Sequence, residues 1–257
     1  FGGRRPMRAR MPNGNHTQRP IDRPLGNGEK RIVIPPAAEG AIRIVPLGGV
    51  EEIGRNMTAI EIGNDIIVLD AGFGFGETDT PGIDYILPNT EYLEERRANI
   101  RAMIVTHGHL DHIGAIPYVI DRIGNPTIYT RRLTGMMIKK RHEEFAHLPA
   151  VQIRDVENNE RIMIGKIGVS FFSVTHTIPD SMGIIIETPY GDIVMTGDVK
   201  LDTDGDGHVS AAEGKEYARF KDRKVLALLM DSTNVERPGW SIPEHFVHKT
   251  LAGLIKK

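Results

Sequence analysis

The sequence predicts a layered α/β sandwich. Three observations carry that prediction. Short apolar runs of strand length recur along the chain and are punctuated by glycine; stretches with apolar residues at helical spacing lie between them; and several of the runs end abruptly on a histidine or an aspartate. At 257 residues, 40% of them hydrophobic, the chain can bury a sizeable core within one large domain.

The elements follow in order. Residues 1–31 are rich in Arg, Pro, Gly and Asn with almost no apolar residues, so they read as a disordered basic arm that cannot offset its ordering entropy. The domain proper is assigned to 32–257. Strands are expected over 42–47, 57–62 and 65–70, the last two joined through Gly63-Asn64 as a hairpin, which gives the sheet an antiparallel start. Asn89 or Thr90 caps a short helix reaching about residue 97, 102–106 reads as a buried strand, and 111–123 carries a helical apolar period. A strand at 127–129 and a helix over 133–145 come next, then strands over 161–164, 168–174, 183–187 and 192–196. A helix over 211–220, a buried strand over 225–230 and a helix over 243–257 complete the series. Strand-rich halves with helices outside them make the layers.

Composition narrows the function. The net charge of −2 hides an asymmetry: residues 1–31 hold eight Lys/Arg and two Asp/Glu, a net of +6, which leaves −8 on the remainder. An acidic body does not bind nucleic acid through bulk charge, so such a partner needs a local basic groove, the basic arm or metal ions. With no cysteine, disulfides and thiolate metal sites are excluded, and any metal falls to His, Asp and Glu. No apolar run approaches the roughly 18–20 residues that span a bilayer, and the N-terminus lacks a signal-peptide core, so a cytoplasmic protein without a membrane partner is expected.

The chemistry concentrates in Thr106-His107-Gly108-His109-Leu110-Asp111-His112, where a strand gives way to a helix through a glycine turn. Two histidines separated by one residue can both face one ion when the backbone turns sharply, and the Asp-His pair that follows can address a second. Further ligands are sought where strands end, because loops there present functional groups. Asp70 follows Ile66-Ile67-Val68-Leu69, His176 follows Phe171-Phe172-Ser173-Val174-Thr175, and Asp198 follows Ile193-Val194-Met195-Thr196-Gly197. Each taken alone could equally be a turn or capping residue.

In that order, an early Asp, His-x-His-x-Asp-His, a later His and a later Asp, the chain resembles the metallo-β-lactamase superfamily. The resemblance implies an αββα sandwich in which His107, His109 and His176 hold one metal, Asp111 and His112 the other, Asp198 bridges both, and Asp70 orients a ligand without touching metal. The superfamily spans lactamases, thioester hydrolases, lactonases and nucleases, so the cluster selects no substrate. Its flanks are more specific. Val45-Pro46-Leu47-Gly48-Gly49-Val50-Glu51-Glu52-Ile53-Gly54-Arg55-Asn56, Gly82-Ile83-Asp84, His176-Thr177-Ile178-Pro179-Asp180-Ser181 and Asp231-Ser232-Thr233-Asn234-Val235-Glu236-Arg237-Pro238-Gly239 resemble the ribonuclease J family.

That resemblance implies 5′-to-3′ exonuclease and endonuclease action on single-stranded RNA in the cytoplasm, with two zinc ions, or manganese, as cofactors. It also implies a homo-oligomer or an RNA-degradation complex as the full-length setting. Two ions lower the pKa of a shared water, orient the phosphodiester and neutralise developing charge, so no side-chain nucleophile is required. Asp111 could also take the proton of that water; its ligand and base roles stay undivided at this level. Two departures stand out. Opening on Phe1 and closing inside a helical pattern, the chain reads as an N-terminal segment, without the β-CASP domain and late histidine ligand that the family places downstream, so the αββα sandwich is expected to be incomplete on its C-terminal side.

The second departure is Asp202-Thr203-Asp204-Gly205-Asp206-Gly207-His208-Val209-Ser210-Ala211-Ala212-Glu213, which matches the EF-hand loop throughout. Oxygens at loop positions 1, 3 and 5, glycine at 6, a backbone carbonyl at 7 and glutamate at 12 are hard ligands suited to calcium, from Asp202, Asp204, Asp206, the His208 carbonyl and Glu213. Only a following helix is expected, since a strand end precedes the loop. Two other functions fit the cluster alone: hydrolysis of a small ester or thioester, and a non-catalytic RNA- or calcium-binding role.

Overall fold

β-Branched residues recur in the opening strands, and in the second and third of them successive side chains are buried on both faces rather than alternating between core and solvent. β1 (Ile42–Gly48), β2 (Met57–Ile62) and β3 (Asp65–Leu69) form an antiparallel meander. The turn between β2 and β3 runs through Gly63 at φ 61°. A two-residue ribbon, β4 (Gly74–Phe75) with β5 (Tyr85–Ile86), precedes α1 (Glu91–Glu94). β6 (Ile100–Ile104) then enters parallel to β3, followed by α2 (Leu110–Ile113), α3 (Ile116–Val119) and β7 (Ile128–Thr130). α4 (Arg132–His142) leads to β8 (Ile153–Asp155), which completes a six-stranded sheet in the order β1-β2-β3-β6-β7-β8.

The second sheet is built from β9 (Arg161–Ile164), β10 (Ile167–Ser173), β11 (Met182–Ile186) and β12 (Asp192–Met195), all antiparallel. After α5 (Ala211–Tyr217), β13 (Val225–Leu229) joins β12 in parallel at the edge, and α6 (Glu244–Ile255) follows. The structure is a computed structural model that describes residues 34–35, 37–76, 81–203 and 208–256. The expected basic arm at 1–31 and the loop ligands Asp204 and Asp206 lie outside the described residues. Residues 37–257 form one unit.

Three apolar layers hold that unit together. Ile66, Val68, Met103 and Ile128 of the first sheet pack outward on Leu93, Ile113, Ile116, Val119 and Ile138 of the helices. Ile67, Leu69, Ala102 and Ile104 face inward onto Val169, Phe171, Ile184 and Ile193 of the second sheet. Phe172, Ile185 and Val194 on the far face receive Tyr217 and Phe220. The layers therefore read α, β, β, α. Each large side chain buried in this way contributes about 1.5–3 kcal/mol. β13 departs from the pattern: Val225, Leu226 and Leu228 are exposed, as are Phe246, Leu251 and Leu254 of α6.

The predicted helix over 111–123 is two short helices, α2 and α3. Pro117 stands in the first turn of α3 and brings no N–H to a continuous ladder. The helices predicted to end at 97, 145 and 220 finish in, or are followed by, separate 3-10 turns at Arg97–Asn99, Glu143–Phe145 and Ala218–Phe220. The strands β4, β5 and β8 were not predicted; at two or three residues each they carry no measurable period. Among the described residues no helix is long and apolar enough to cross a membrane.

Candidate metal centre

Strand pairing brings the predicted residues to one rim of the sandwich. Leu69 pairs with Ile104 in parallel register, so the next residue, Asp70, lies beside Val105 and Thr106. Asp70 adopts φ 57°, a left-handed conformation that aspartate tolerates better than most residues, and it has no solvent exposure. Its Oδ1 accepts the Thr106 N–H at 2.8 Å, and the Thr106 hydroxyl donates to the same carboxylate. Its Oδ2 lies 2.9 Å from His112 Nδ1. The His112 ring is thereby turned so that Nε2 points into the cluster.

His107, also without solvent exposure, leaves the end of β6, and His109 occupies the N-cap of α2. His176 arrives from the loop after β10. The imidazole nitrogens converge: His109 Nδ1 is 3.0 Å from His107 Nε2 and 3.2 Å from His176 Nε2. A tetrahedral zinc ion with Zn–N of about 2.0–2.1 Å holds neighbouring nitrogens roughly 3.3 Å apart, so this spacing suits one such ion. Asp198 follows β12 through Gly197, whose φ of 60° and close approach to Thr106, 2.8 Å from a built Cβ to Thr106 Cβ, admit no side chain.

Asp198 divides its two oxygens. Oδ2 faces His176 Nε2 at 3.5 Å and His107 Nε2 at 3.8 Å, whereas Oδ1 faces His112 Nε2 at 3.1 Å. Two overlapping donor groups result: His107, His109, His176 and Asp198, and Asp111, His112 and Asp198. Asp111 Oδ2 stands 3.6 Å from His112 Nε2. Gly72 permits this arrangement, since a Cβ there would fall 1.5 Å from the Asp111 carbonyl oxygen. The donors are nitrogen and oxygen only, a set that fits zinc or a similar divalent ion.

Electrostatics differ across the cluster. Burial, reinforced by neighbouring imidazoles, drives His107 down to about 2, so its ring is a neutral donor. Burial and the adjacent histidines likewise lower His176. His112 goes the other way: burial opposes its charge, but the Asp70 and Asp198 carboxylates outweigh it and raise it to about 10. Asp198 is held near 2; burial acts against its charge, and the hydrogen bond and charge of His112 prevail.

Supporting residues had escaped assignment as site residues. Asn56, the end of the glycine-rich stretch after β1, places Nδ2 3.1 Å from the Asp111 carbonyl and 3.0 Å from His112 Nε2. Asp231 accepts the Val199 N–H at 3.3 Å and so braces the residue after Asp198. Arg131, at the N-cap of α4, lines a cavity of about 280 Å³ together with His176, Asp180, Ser181, Glu244 and His248. Asn56 and Asp231 lie inside the stretches that resemble ribonuclease J, which is their only sequence signal; Arg131 lies in none of them.

In the acidic loop, the structure joins Asp202 to Glu213, whose Oε2 accepts the Asp202 N–H at 3.0 Å. His208 lies across the loop, next to Val209, which bridges back to Thr203.

Comparison with known proteins identifies the family. Residues 50–229 match the family model described as "Metallo-beta-lactamase superfamily". The chain is 41% identical over 221 residues to ribonuclease J of Thermus thermophilus, covering 83% of this chain and 38% of that protein. It is 38% identical over 206 residues to ribonuclease J 2 of Staphylococcus epidermidis, covering 80% and 37%. The chain thus spans well under half the length of these relatives. A solved protein of unknown function from Enterococcus faecalis superposes with a TM-score of 0.52 at 19% identity, over 77% of this chain and 52% of that one, a likeness of fold alone. With most of its length matched by that family model, the chain belongs to the metallo-β-lactamase superfamily, as a domain related to ribonuclease J.

Proposed function

We propose that this chain is the catalytic core of a cytoplasmic, metal-dependent ribonuclease that hydrolyses single-stranded RNA, from the 5′ end and internally, in the manner of ribonuclease J. The observation that carries the reading is the divided carboxylate of Asp198, one oxygen toward the three-histidine group and the other toward His112. On this assignment His107, His109 and His176 hold one ion, Asp111 and His112 hold the other, Asp198 spans both, and Asp70 fixes His112. Zinc fits the nitrogen-rich group, with manganese as the alternative. When bound, a pair of such ions makes water acidic and neutralises charge on a phosphodiester.

The chain's own residues complete the site. Asp111 and Asp198 are the carboxylates at the cluster that can accept the water's proton. Arg131 favours a phosphate substrate over a thioester. Its Nη1 is 3.9 Å from Glu157, yet Nε and Nη2 are buried without a hydrogen-bond partner among the described residues, in the cavity wall that His176 shares. Burial lowers its pKa, and a guanidinium so placed gains from an anion that brings paired acceptor oxygens.

The test is side-by-side turnover of 5′-monophosphorylated RNA and a small thioester by the zinc- or manganese-loaded protein, with His109→Ala as control. RNA cleavage lost in the variant is the expected result. Thioester turnover without RNA cleavage would replace this reading with that of a small-molecule hydrolase, and metal binding with neither turnover would make the chain a non-catalytic binder.

A further inference from the structure

The acidic loop that follows Asp198 takes no part in the chemistry proposed above. Its sequence supplies oxygen ligands at the EF-hand positions, and its described residues tie the start of the loop to its end. Thr203 and Val209, at loop positions 2 and 8, form an antiparallel bridge, and the Ser210 N–H donates to the Asp202 carbonyl at 2.9 Å. The two described arms of the loop are therefore held together. Ser210 then caps α5, accepting the Glu213 N–H at 3.3 Å, which starts the exiting helix at loop position 9 and brings Glu213, position 12, back over position 1.

Glu213 is the informative residue. It is only 5% exposed, and its Oε2 receives the Asp202 N–H at 3.0 Å, so the carboxylate is aimed at the first loop position. Its Oε1 is buried with no hydrogen-bond partner. A carboxylate withdrawn from water with one oxygen unmatched is costly unless a cation or a proton compensates it. Neither Lys nor Arg is paired with Glu213 among the described residues. The hydroxyl of Thr203, beside the same site, is likewise buried and unmatched.

We propose that calcium binds where Glu213 folds back on Asp202, with the Asp202 and Glu213 side chains and the His208 carbonyl as ligands, Glu213 supplying the otherwise unmatched Oε1. The site is chemically separate from the histidine cluster: it offers only hard oxygens, which select calcium, whereas the cluster is rich in nitrogen, which selects zinc. It is also physically tied to its surroundings, because Asp202 Oδ1 accepts the Glu244 N–H at 3.1 Å at the start of α6. The inference does not depend on the substrate proposed above.

The experiment is calorimetric titration of the zinc-loaded chain with calcium, alongside thermal melting at each calcium concentration. One site is expected with a Kd on the order of 10⁻⁵ to 10⁻³ M, the weaker part of the EF-hand range, since no second loop pairs with this one among the described residues. Glu213→Gln preserves an acceptor for the Asp202 N–H while removing the charge, and should weaken calcium by about tenfold or more, because ligand charge sets affinity in such loops. Glu213→Asp, whose shorter carboxylate cannot reach as far, should weaken it as well, and it decides the question if the glutamine variant fails to fold. No binding or melting shift up to about 10 mM calcium, or folded variants that bind as the parent does, overturns the proposal.

Discussion

Replacing Asp70 with asparagine isolates the role of a residue that touches no proposed ion. The substitution is nearly isosteric, and asparagine tolerates the left-handed φ of 57°, so the backbone has little reason to move. Oδ1 can still accept the Thr106 N–H now made at 2.8 Å. What changes is the other atom, where an amide NH₂ would meet His112 Nδ1 at 2.9 Å in place of a carboxylate oxygen. The ring must then offer Nδ1 as acceptor, which puts its proton on Nε2, the nitrogen facing Asp198 and Asp111. A buried charge-assisted hydrogen bond is worth about 1.5–3 kcal/mol. Loss of such an orienting partner typically costs 10–100-fold in metal affinity, about 1.4–2.8 kcal/mol, so the two scales agree. Zinc competition against a chromophoric chelator should resolve two binding steps. The step assigned to Asp111, His112 and Asp198 should weaken by that factor, and the three-histidine step should stay within about threefold, since Asp70 bonds to none of those rings. Equal weakening of both steps, or of neither, would refute the reasoning that Asp70 acts through His112.

Further expectations follow from other parts of the structure. Arg131→Met removes two unmatched donors from the cavity wall and should raise KM for RNA by about 10–100-fold with a smaller change in kcat, measured by steady-state cleavage of a labelled oligonucleotide. Gly197→Ala forces a Cβ to within 2.8 Å of Thr106 Cβ at a φ of 60°; it should cost about 1–3 kcal/mol in denaturant unfolding and weaken both zinc steps, because Asp198 is shared. Phe171→Ala, between the sheets and away from the cluster, should cost about 3–5 kcal/mol of stability while leaving zinc stoichiometry unchanged in the folded fraction, read by melting and metal analysis.

The residues that carry the chemistry were legible because they sit at places sequence marks clearly. Four apolar runs end on Asp70, on Thr106-His107, a few residues before His176 and two before Asp198, and a run that ends on a polar group advertises a strand end whatever its partners. Helix detail was less legible. The period over 111–123 is helical throughout, yet Pro117 and the packing of Gly114, where a built Cβ would meet Phe73 at 2.3 Å, impose a break that periodicity does not register. Arg131 was illegible for a different reason: an arginine pair before a helix normally reads as solvated surface, and only the packing of the loop after β10 against α4 makes one of the two a buried cation.

What sequence order could not supply is why these ends meet, and the sheet topology supplies it. β3 and β6 are parallel neighbours, so Asp70 and Thr106 emerge on the same rim and bond directly. In the second sheet β10 and β12 flank β11, antiparallel to each, so they run in the same direction and His176 and Asp198 share a rim as well. The two rims are held together where the Met182 N–H, at the start of β11, donates to the Thr106 carbonyl at 3.1 Å. Thr106 is therefore the joint of the site: its N–H and hydroxyl hold Asp70, its carbonyl holds the second sheet, and its side chain packs on Gly197 ahead of Asp198. Thr106→Val tests this directly, since it keeps the backbone bonds and the shape but leaves the Asp70 carboxylate with one donor fewer in a fully buried position. A loss of about 1–3 kcal/mol of stability with weakening of the His112 step is expected, and unchanged zinc binding would show that the backbone bonds alone hold the two rims in register.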